Sequence, residues 1–400
     1  MSVHRLLRAL AVLAGPLAPL LLAACATGGA GAPPAPAALL DDTRFAASAE
    51  PVAAAEVFKL DDAMRRYVAE QIQPEARQRG ARQALIDALY ARGQLRLEYE
   101  ATMTRTAAQA FEARQGNCLS LVIMTGAFAQ ALGLDVTFQE VGIDESWSRA
   151  GGMYFTSGHV NLVLDRHSAS AMHAFDRSGS YTVDFLPPEE SAGMRAHAIA
   201  EKTIVAMYMN NRAAEAMVAG HLDDAYWRAR EAVRIDPDFL SAYNTLGVIY
   251  LRHADTAQAE RVLRYVAERA PDNPRALANH AQALRALGRD REAAALEARL
   301  AVLEPLPPFY FFERGQAAYK AGDLIAARNL FRKELERAPD YHEFHYWLAI
   351  ADAGLGRLDE ARSELSLAMD DSVRRTDHDL YAAKLDRLKA YQQSAARKLQ

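Results

Sequence analysis

The sequence predicts an α+β domain, in which a cysteine-bearing helix packs on an antiparallel sheet, followed by an all-α solenoid. Three observations carry that prediction. The first is an apolar run from Leu119 to Leu132, opened by Gly116-Asn117-Cys118, closed by Gly133 and too short to span a bilayer. The second is a change of period after Gly133: Val136, Phe138 and Val141, then His159 to Leu164, then Tyr181 to Phe185 read as strands. The third is a 34-residue period that runs from about 206 to 375.

Composition sets the frame. Of 400 residues, 50% are hydrophobic and 24% charged, which describes soluble globular material. The net charge is -5, and losing Arg5 and Arg8 with a leader makes the rest more acidic. No basic stripe is present, so nucleic acid is not an expected partner. Residues 1–24 have a positive n-region and an apolar h-region containing Pro16 and Pro19, then end Leu22-Ala23-Ala24 directly before Cys25. That ending resembles the lipobox of bacterial lipoproteins. The resemblance implies lipid on Cys25, cleavage before it and, with Ala26 following, the periplasmic face of an outer membrane. The alternative is an ordinary signal peptide cut near Ala24 or Ala26.

Residues 25–55 are rich in Ala, Gly and Pro and read as a flexible tether, the apolar patch Ala38-Leu39-Leu40 notwithstanding. A first folded domain is expected over 56–205. Its first helix is capped by Asp61 or Asp62, shows Met64, Tyr67, Val68 and Ile72 on one face, and ends before Pro74. A second runs from about Ala81 to Tyr90, with Leu85, Leu89 and Tyr90 inward. A third segment, from Tyr99 to Ala113, leads to the Asn117 cap. Residues 142–152, which hold Trp147, read as a polar loop. Cys118 then stands in the first turn of a buried helix, where orphan N–H groups and the dipole favour a thiolate. Cys25 and Cys118 are the two cysteines. With Cys25 lipidated, Cys118 has no disulfide partner in an oxidising compartment.

The repeat is explicit. Pro237, Pro271, Pro305 and Pro339 each follow the last by 34 residues, as do Ala225, Ala259, Ala293, Ala327 and Ala361. Gly220, Gly288, Gly322 and Gly356 sit five residues before their alanines, with Ala254 in the remaining slot. Gly247 and Gly315 alternate with Ala213, Ala281 and Ala349 where the helices of a pair approach. This pattern resembles the tetratricopeptide repeat: five repeats over 206–375, with a capping helix and tail over 376–400. The resemblance implies a concave groove lined by the first helix of each unit, with Asn244, Phe309, Phe312, Tyr319 and Tyr346 facing it. A groove holding exposed aromatics suggests a protein or peptide partner. The alternative for Phe309 and Phe312 is packing between units, with Phe311 at a packing position.

Gly116-Asn117-Cys118, Gly158-His159-Val160 and Val183-Asp184-Phe185 resemble, in order, the Cys, His and Asp of the transglutaminase-like, papain-related fold. The resemblance implies Cys118 as nucleophile, His159 as base and acid, and Asp184 as the group that orients the imidazole. Asp165 and Asp176 compete for the third role; Asp184 is favoured because it interrupts an apolar strand, where an unpaired carboxylate is costly. Gln115 and Trp147 are candidates for an oxyanion hole beside the Cys118 N–H. No cofactor is implied, and histidines 159, 167 and 173 share no helix, so no metal site is expected. The expected function is cysteine-dependent acyl transfer, hydrolytic or transamidating, with the repeats recruiting the target. The alternative is an envelope scaffold or adaptor whose first domain is degenerate.

Overall fold

The structure, a computed structural model, describes residues 37–49, 53–90, 95, 97–100, 103–150, 153–165, 180–186, 194–372 and 375–398. Cys25 and the leader lie outside the described residues, as do His167, His173 and Asp176.

Helix α1 (Asp62–Tyr67) starts where Asp61 accepts a hydrogen bond from the Met64 N–H at 2.7 Å. The helix was expected to end before Pro74, and it does not. A π-helical turn over Val68–Ile72 carries it into α2 (Gln73–Arg79). Pro74 thereby falls in the first turn of α2, where its missing N–H costs nothing. Helix α3 (Ala81–Tyr90) buries Leu85 and Leu89, but Tyr90 is 49% exposed rather than inward. Strands β1 (Glu98–Tyr99) and β2 (Gln115–Gly116) pair in parallel around α4 (Ala107–Ala113), which opens on a Thr106/Gln109 capping box.

Helix α5 (Cys118–Ala131) buries every residue from Leu119 to Ala129. It lies close to the sheet: a Cβ on Gly126 would stand 2.9 Å from the Phe138 ring. The sheet contains β3 (Asp135–Ala150), β4 (Met153–Asp165), β5 (Tyr181–Val183) and β6 (Ala196–Ile199), in antiparallel order β5-β4-β3-β6. The expected polar loop over 142–152 is instead a hairpin arm, with β3 and β4 paired as far as Ala150 and Met153 beyond an irregularity after Val141. Backbone pairing needs no apolar face, so this arm left no period-two signal.

Ten helices follow in five antiparallel pairs: α6 (Glu201–Val218) with α7 (Leu222–Ile235), α8 (Leu240–Arg252) with α9 (Thr256–Arg269), and α10 (Pro274–Ala286) with α11 (Asp290–Leu303). Then come α12 (Tyr310–Lys320) with α13 (Leu324–Leu335), α14 (His342–Gly354) with α15 (Leu358–Asp370), and a final α16 (Arg375–Lys398). Each pair turns on one left-handed residue, Gly220, Ala254, Gly288, Gly322 or Gly356; Ala254 takes φ 65° in the glycine slot, a strained choice for a residue with Cβ. Gly247 and Gly315 mark close approach, since a Cβ at either would stand 2.5 Å from Leu263 or Phe331. The first domain and the repeats share one hydrophobic cluster that runs from Leu39 through Val122 and Ile204 to Ala283. Packing between α11 and α12 is sparse beside that of other consecutive helices, and a second core begins at Phe309.

That second core overturns one expectation. Phe309 and Phe312, read as groove-facing, are 2% and 0% exposed and pack with Phe331 and Phe344. Phe309 adopts φ 63° at the start of α12, and its ring meets those of Tyr341 and Phe344 edge-on. Lacking a closely packed helix before it, α12 packs its aromatics on α13 of its own pair and on the following unit. Phe311 is the one left half-buried, beneath Lys333 and Arg337.

The expected tether is also corrected. From Ala38 to Ala49 the chain is a strap bound across the first two repeats. Phe45 stacks on Tyr226 with ring centres 3.9 Å apart, and Asp42 accepts from the Tyr226 hydroxyl and the Arg230 guanidinium, each at 2.7 Å. The Asp41 N–H donates to Tyr250 Oη at 2.9 Å, Gln258 donates to the Ala38 carbonyl at 2.9 Å, and Trp227 donates to the Ala46 carbonyl at 2.6 Å. Leu39 and Phe45 are the apolar residues a composition reading discounts, and both are buried. Phe45→Ala should therefore cost about 3 kcal/mol, measured by urea unfolding, where a true tether would show no change.

Candidate functional site

The site is assembled from a helix start and two strands. Asn117 caps α5 by accepting from the Ser120 N–H at 2.9 Å and the Ser120 hydroxyl at 2.7 Å. Gly116 is required for this turn, because a Cβ there would stand 2.7 Å from the Ser120 Cβ. The cap leaves Cys118 in the first helical turn, half-buried, its thiol free of any disulfide. The N–H groups of that turn have no intrahelical acceptor, which suits developing negative charge on a carbonyl oxygen.

His159 and Asn161 lie two apart on β4, so their side chains leave one face of the strand. Asp184 follows directly after β5, which pairs with β4 through Val183 and Leu162. Its carboxylate bonds His159 Nε2 at 2.6 Å through Oδ1 and accepts from Asn161 Nδ2 at 3.0 Å through Oδ2. The Leu186 N–H adds a third bond to Oδ1 at 3.0 Å. His159 is 2% exposed, and Asn161 is buried as well. Tyr90 Oη donates to the Asp184 carbonyl at 3.0 Å, which ties α3 to the same corner.

The electrostatics follow from these contacts. Burial pushes the His159 pKa down, but the bond to Asp184 and the approach of Cys118 outweigh it and raise the ring from 6.5 to about 9. For Asp184, burial acts upward, while His159, Asn161 and the Leu186 N–H together hold the carboxyl below its ordinary 3.8. Nε2 is occupied by Asp184, and Nδ1 is buried with no partner at hydrogen-bond geometry. Cys118 adds to the pull toward the protonated ring, while Nδ1 itself makes no hydrogen bond. Looser contacts of this kind are common in the absence of substrate.

Of the residues expected at the site, Cys118, His159 and Asp184 are brought together. Asp165 ends β4 opposite Asp135, six residues along the strand from His159. Gln115 stands half-buried on β2, three residues before Cys118. Trp147 lies on β3 opposite Thr156, in an arm whose side chains are outside the described set. Asn161 went unrecognised, although it carried the signal that singled out Asp184: a polar residue inside an apolar strand. Among the described residues, no group of three His, Cys, Asp or Glu could hold a metal ion.

In the repeats, Asn244 on α8 accepts from Asn279 of α10 at 2.9 Å, joining the first helices of two consecutive units. Tyr319 meets Trp347 with ring centres 5.6 Å apart, and Tyr346 meets Tyr381 of α16 at 5.0 Å. All three are half-buried.

The His159 shift has a definite sign for stability. A raised pKa means that the protonated ring stabilises the fold. That contribution is complete below pH 6.5 and is lost as pH rises through about 9. Chemical denaturation of wild type and His159→Gln at a series of pH values should give a stability gap that narrows across this window. A gap constant with pH would mean that the ring is neutral in the fold.

A family model of the tetratricopeptide repeat matches residues 318–384. The TPR repeat-containing protein PA4667 of Pseudomonas aeruginosa is 32% identical over 137 residues, which cover 32% of this chain and 22% of that protein. The chain thus spans about a fifth of the length of the curated relative it matches. Among solved structures, TTC0263, a thermophilic TPR protein of Thermus thermophilus, is similar at 19% identity and a TM-score of 0.31, over 45% of this chain and 98% of that one. Yeast Tom70 is similar at 17% identity and a TM-score of 0.35, over 47% of this chain and 40% of that one. YrrB, a TPR protein with an unusual peptide-binding site, is similar at 20% identity and a TM-score of 0.25, over 45% and 92%. With the 34-residue phase and the helix pairs that carry it, the C-terminal part of this chain is an array of tetratricopeptide repeats.

Proposed function

We propose that the protein is a lipid-anchored envelope protein whose first domain is a transglutaminase-like, cysteine-dependent acyl-transfer unit and whose repeats recruit a protein or peptide target. The observation that carries the chemistry is the 2.6 Å bond between the buried His159 and the half-buried Asp184 beside the Cys118 thiol. In this reading, Cys118 Sγ attacks an amide carbonyl carbon and an oxyanion forms against the N–H groups at the start of α5. The C–N bond then breaks, His159 gives its proton to the departing amine, and an acyl thioester remains on Cys118. Water or a second amine attacks the thioester with His159 as base, releasing acid or new amide and restoring the thiol. Asp184 keeps the ring oriented and charged, and Asn161 positions Asp184.

Recruitment rests on the repeats, since arrays of this kind bind protein or peptide targets. Phe309 and Phe312 are withdrawn from the groove because they are core residues; Asn244, Tyr319 and Tyr346 keep accessible surface. The lipid anchor rests on the sequence Leu22-Ala23-Ala24-Cys25, and Ala26 after the cysteine supports a location at the periplasmic face of an outer membrane. A second reading, an adaptor without turnover, is favoured by the repeats alone and needs no reactive thiol.

One experiment decides between these readings, and a second tests the anchor. Iodoacetamide at neutral pH, followed peptide by peptide with mass spectrometry, should label Cys118 in the folded chain at least about tenfold faster than in the denatured chain. His159→Gln should abolish the difference. Equal, slow labelling removes the acyl-transfer reading and leaves the adaptor. For the anchor, Cys25→Ser should move the protein from the membrane fraction to the soluble fraction, and an unchanged distribution rejects lipidation.

A further inference from the structure

The cap that sets Cys118 in place does not end within its own domain. The Asn117 side chain uses its carbonyl for Ser120 and donates its amide to Thr104 Oγ1 at 3.0 Å. Thr104 is 2% exposed, and its hydroxyl also accepts from Asn211 at 3.3 Å. The Thr104 N–H donates to Glu215 Oε1 at 2.8 Å, and Arg212 holds the other carboxylate oxygen at 2.6 Å. Asn211, Arg212 and Glu215 all belong to α6, the first helix of the repeat array. A second bond closes the turn from its own side, where the Arg105 N–H donates to Ser120 Oγ at 2.8 Å.

We propose that Glu215 of the first repeat is a positioning residue for Cys118, acting through Thr104 and Asn117 on the first turn of α5, so that the repeat array sets the reactivity of the thiol. This deepens the acyl-transfer reading and rests on it. Apolar contact already holds the two parts together, because one hydrophobic cluster runs from the α5 core into α6. Adhesion therefore does not account for a polar chain crossing the same interface. A polar chain centred on a buried residue such as Thr104 fixes geometry, since a buried group left unpaired is costly. This one fixes Thr104, which fixes the amide of Asn117, which fixes the N–H groups beside Cys118. A ligand that shifts α6 along its axis would reach the thiol by this route.

The test compares iodoacetamide labelling of Cys118 in the full-length wild type, Glu215→Ala, Glu215→Gln and Thr104→Val, at a temperature where circular dichroism shows each variant folded. Glu215→Ala should slow labelling about tenfold, the scale expected when a reacting group is displaced by a fraction of an ångström or more. Glu215→Gln keeps an oxygen for the Thr104 N–H and should restore most of the wild-type rate, although it lowers stability by losing Arg212. Thr104→Val keeps the N–H, removes the hydroxyl that Asn117 uses, and should slow labelling as Glu215→Ala does; it decides the matter if Glu215→Ala does not fold. A merely structural Glu215 would move the melting temperature and leave the labelling rates alone. Wild-type rates in both Glu215→Ala and Thr104→Val, or equal losses in Glu215→Ala and Glu215→Gln, overturn the proposal while leaving the acyl-transfer reading intact. A wild-type thiol no faster than the denatured one removes both.

Discussion

A carboxylate taken out of water must be satisfied at both oxygens, and the corner of the fold around Asp184 is built to do that. One oxygen meets an imidazole and a backbone N–H, and the other meets an amide. These bonds need β4 and β5 in a single register, because Val183 must oppose Leu162 for Asp184 to reach both His159 and Asn161. A slip by one residue would turn His159 and Asn161 to the other face and leave the carboxylate unpaired. The same register keeps Leu162, Leu164 and Val183 in the hydrophobic core. Core packing and site geometry are thus one constraint met by alternate residues of the same strands.

The repeats obey a simpler rule. Two helices can lie close only where a small residue meets a large one, so Gly247 faces Leu263 and Gly315 faces Phe331. The turn between the helices of a pair needs a left-handed residue, and that need is strong enough to hold even Ala254 at φ 65°. Such rules act every 34 residues, which is why they stand out in the sequence. They do not enforce continuity between units: α11 leaves Val302 81% exposed, and the cluster that spans the first repeats ends at Ala283 while another begins at Phe309.

What was legible and what was not divides along the same line. Periodic features were readable: the buried α5, the strands with an apolar face, the helix pairs. The Asn117 cap was readable because capping is local chemistry. Features that depend on a distant partner were not. The Ala38–Ala49 strap has the composition of a linker and gains structure from Tyr226, Tyr250 and Gln258, about two hundred residues away. The outer part of the β3–β4 hairpin has no apolar alternation to detect. Phe309 and Phe312 carry the helical spacing of a shared face, but spacing does not say whether that face meets solvent or Phe344. Asn161 was within reach, since the argument that chose Asp184 applies to it unchanged.

The strap changes what the proposed anchor means. A tether reaching to residue 55 would let the folded part range freely above a membrane. The chain is already bound to the second repeat at Ala38, so residues 38–49 belong to the folded part and give an anchor no slack. Helix α6 packs on the strap-bearing α7 and carries Glu215, which accepts from the Thr104 N–H, so within the folded part α6 lies between the strap and the Cys118 turn. Under the proposed coupling, a displacement of the strap would reach the Cys118 turn through α7, α6 and Thr104. The core that begins at Phe309 lies beyond the sparse α11–α12 junction and shares no cluster with these elements, so the polar route to Cys118 runs through the first repeats alone.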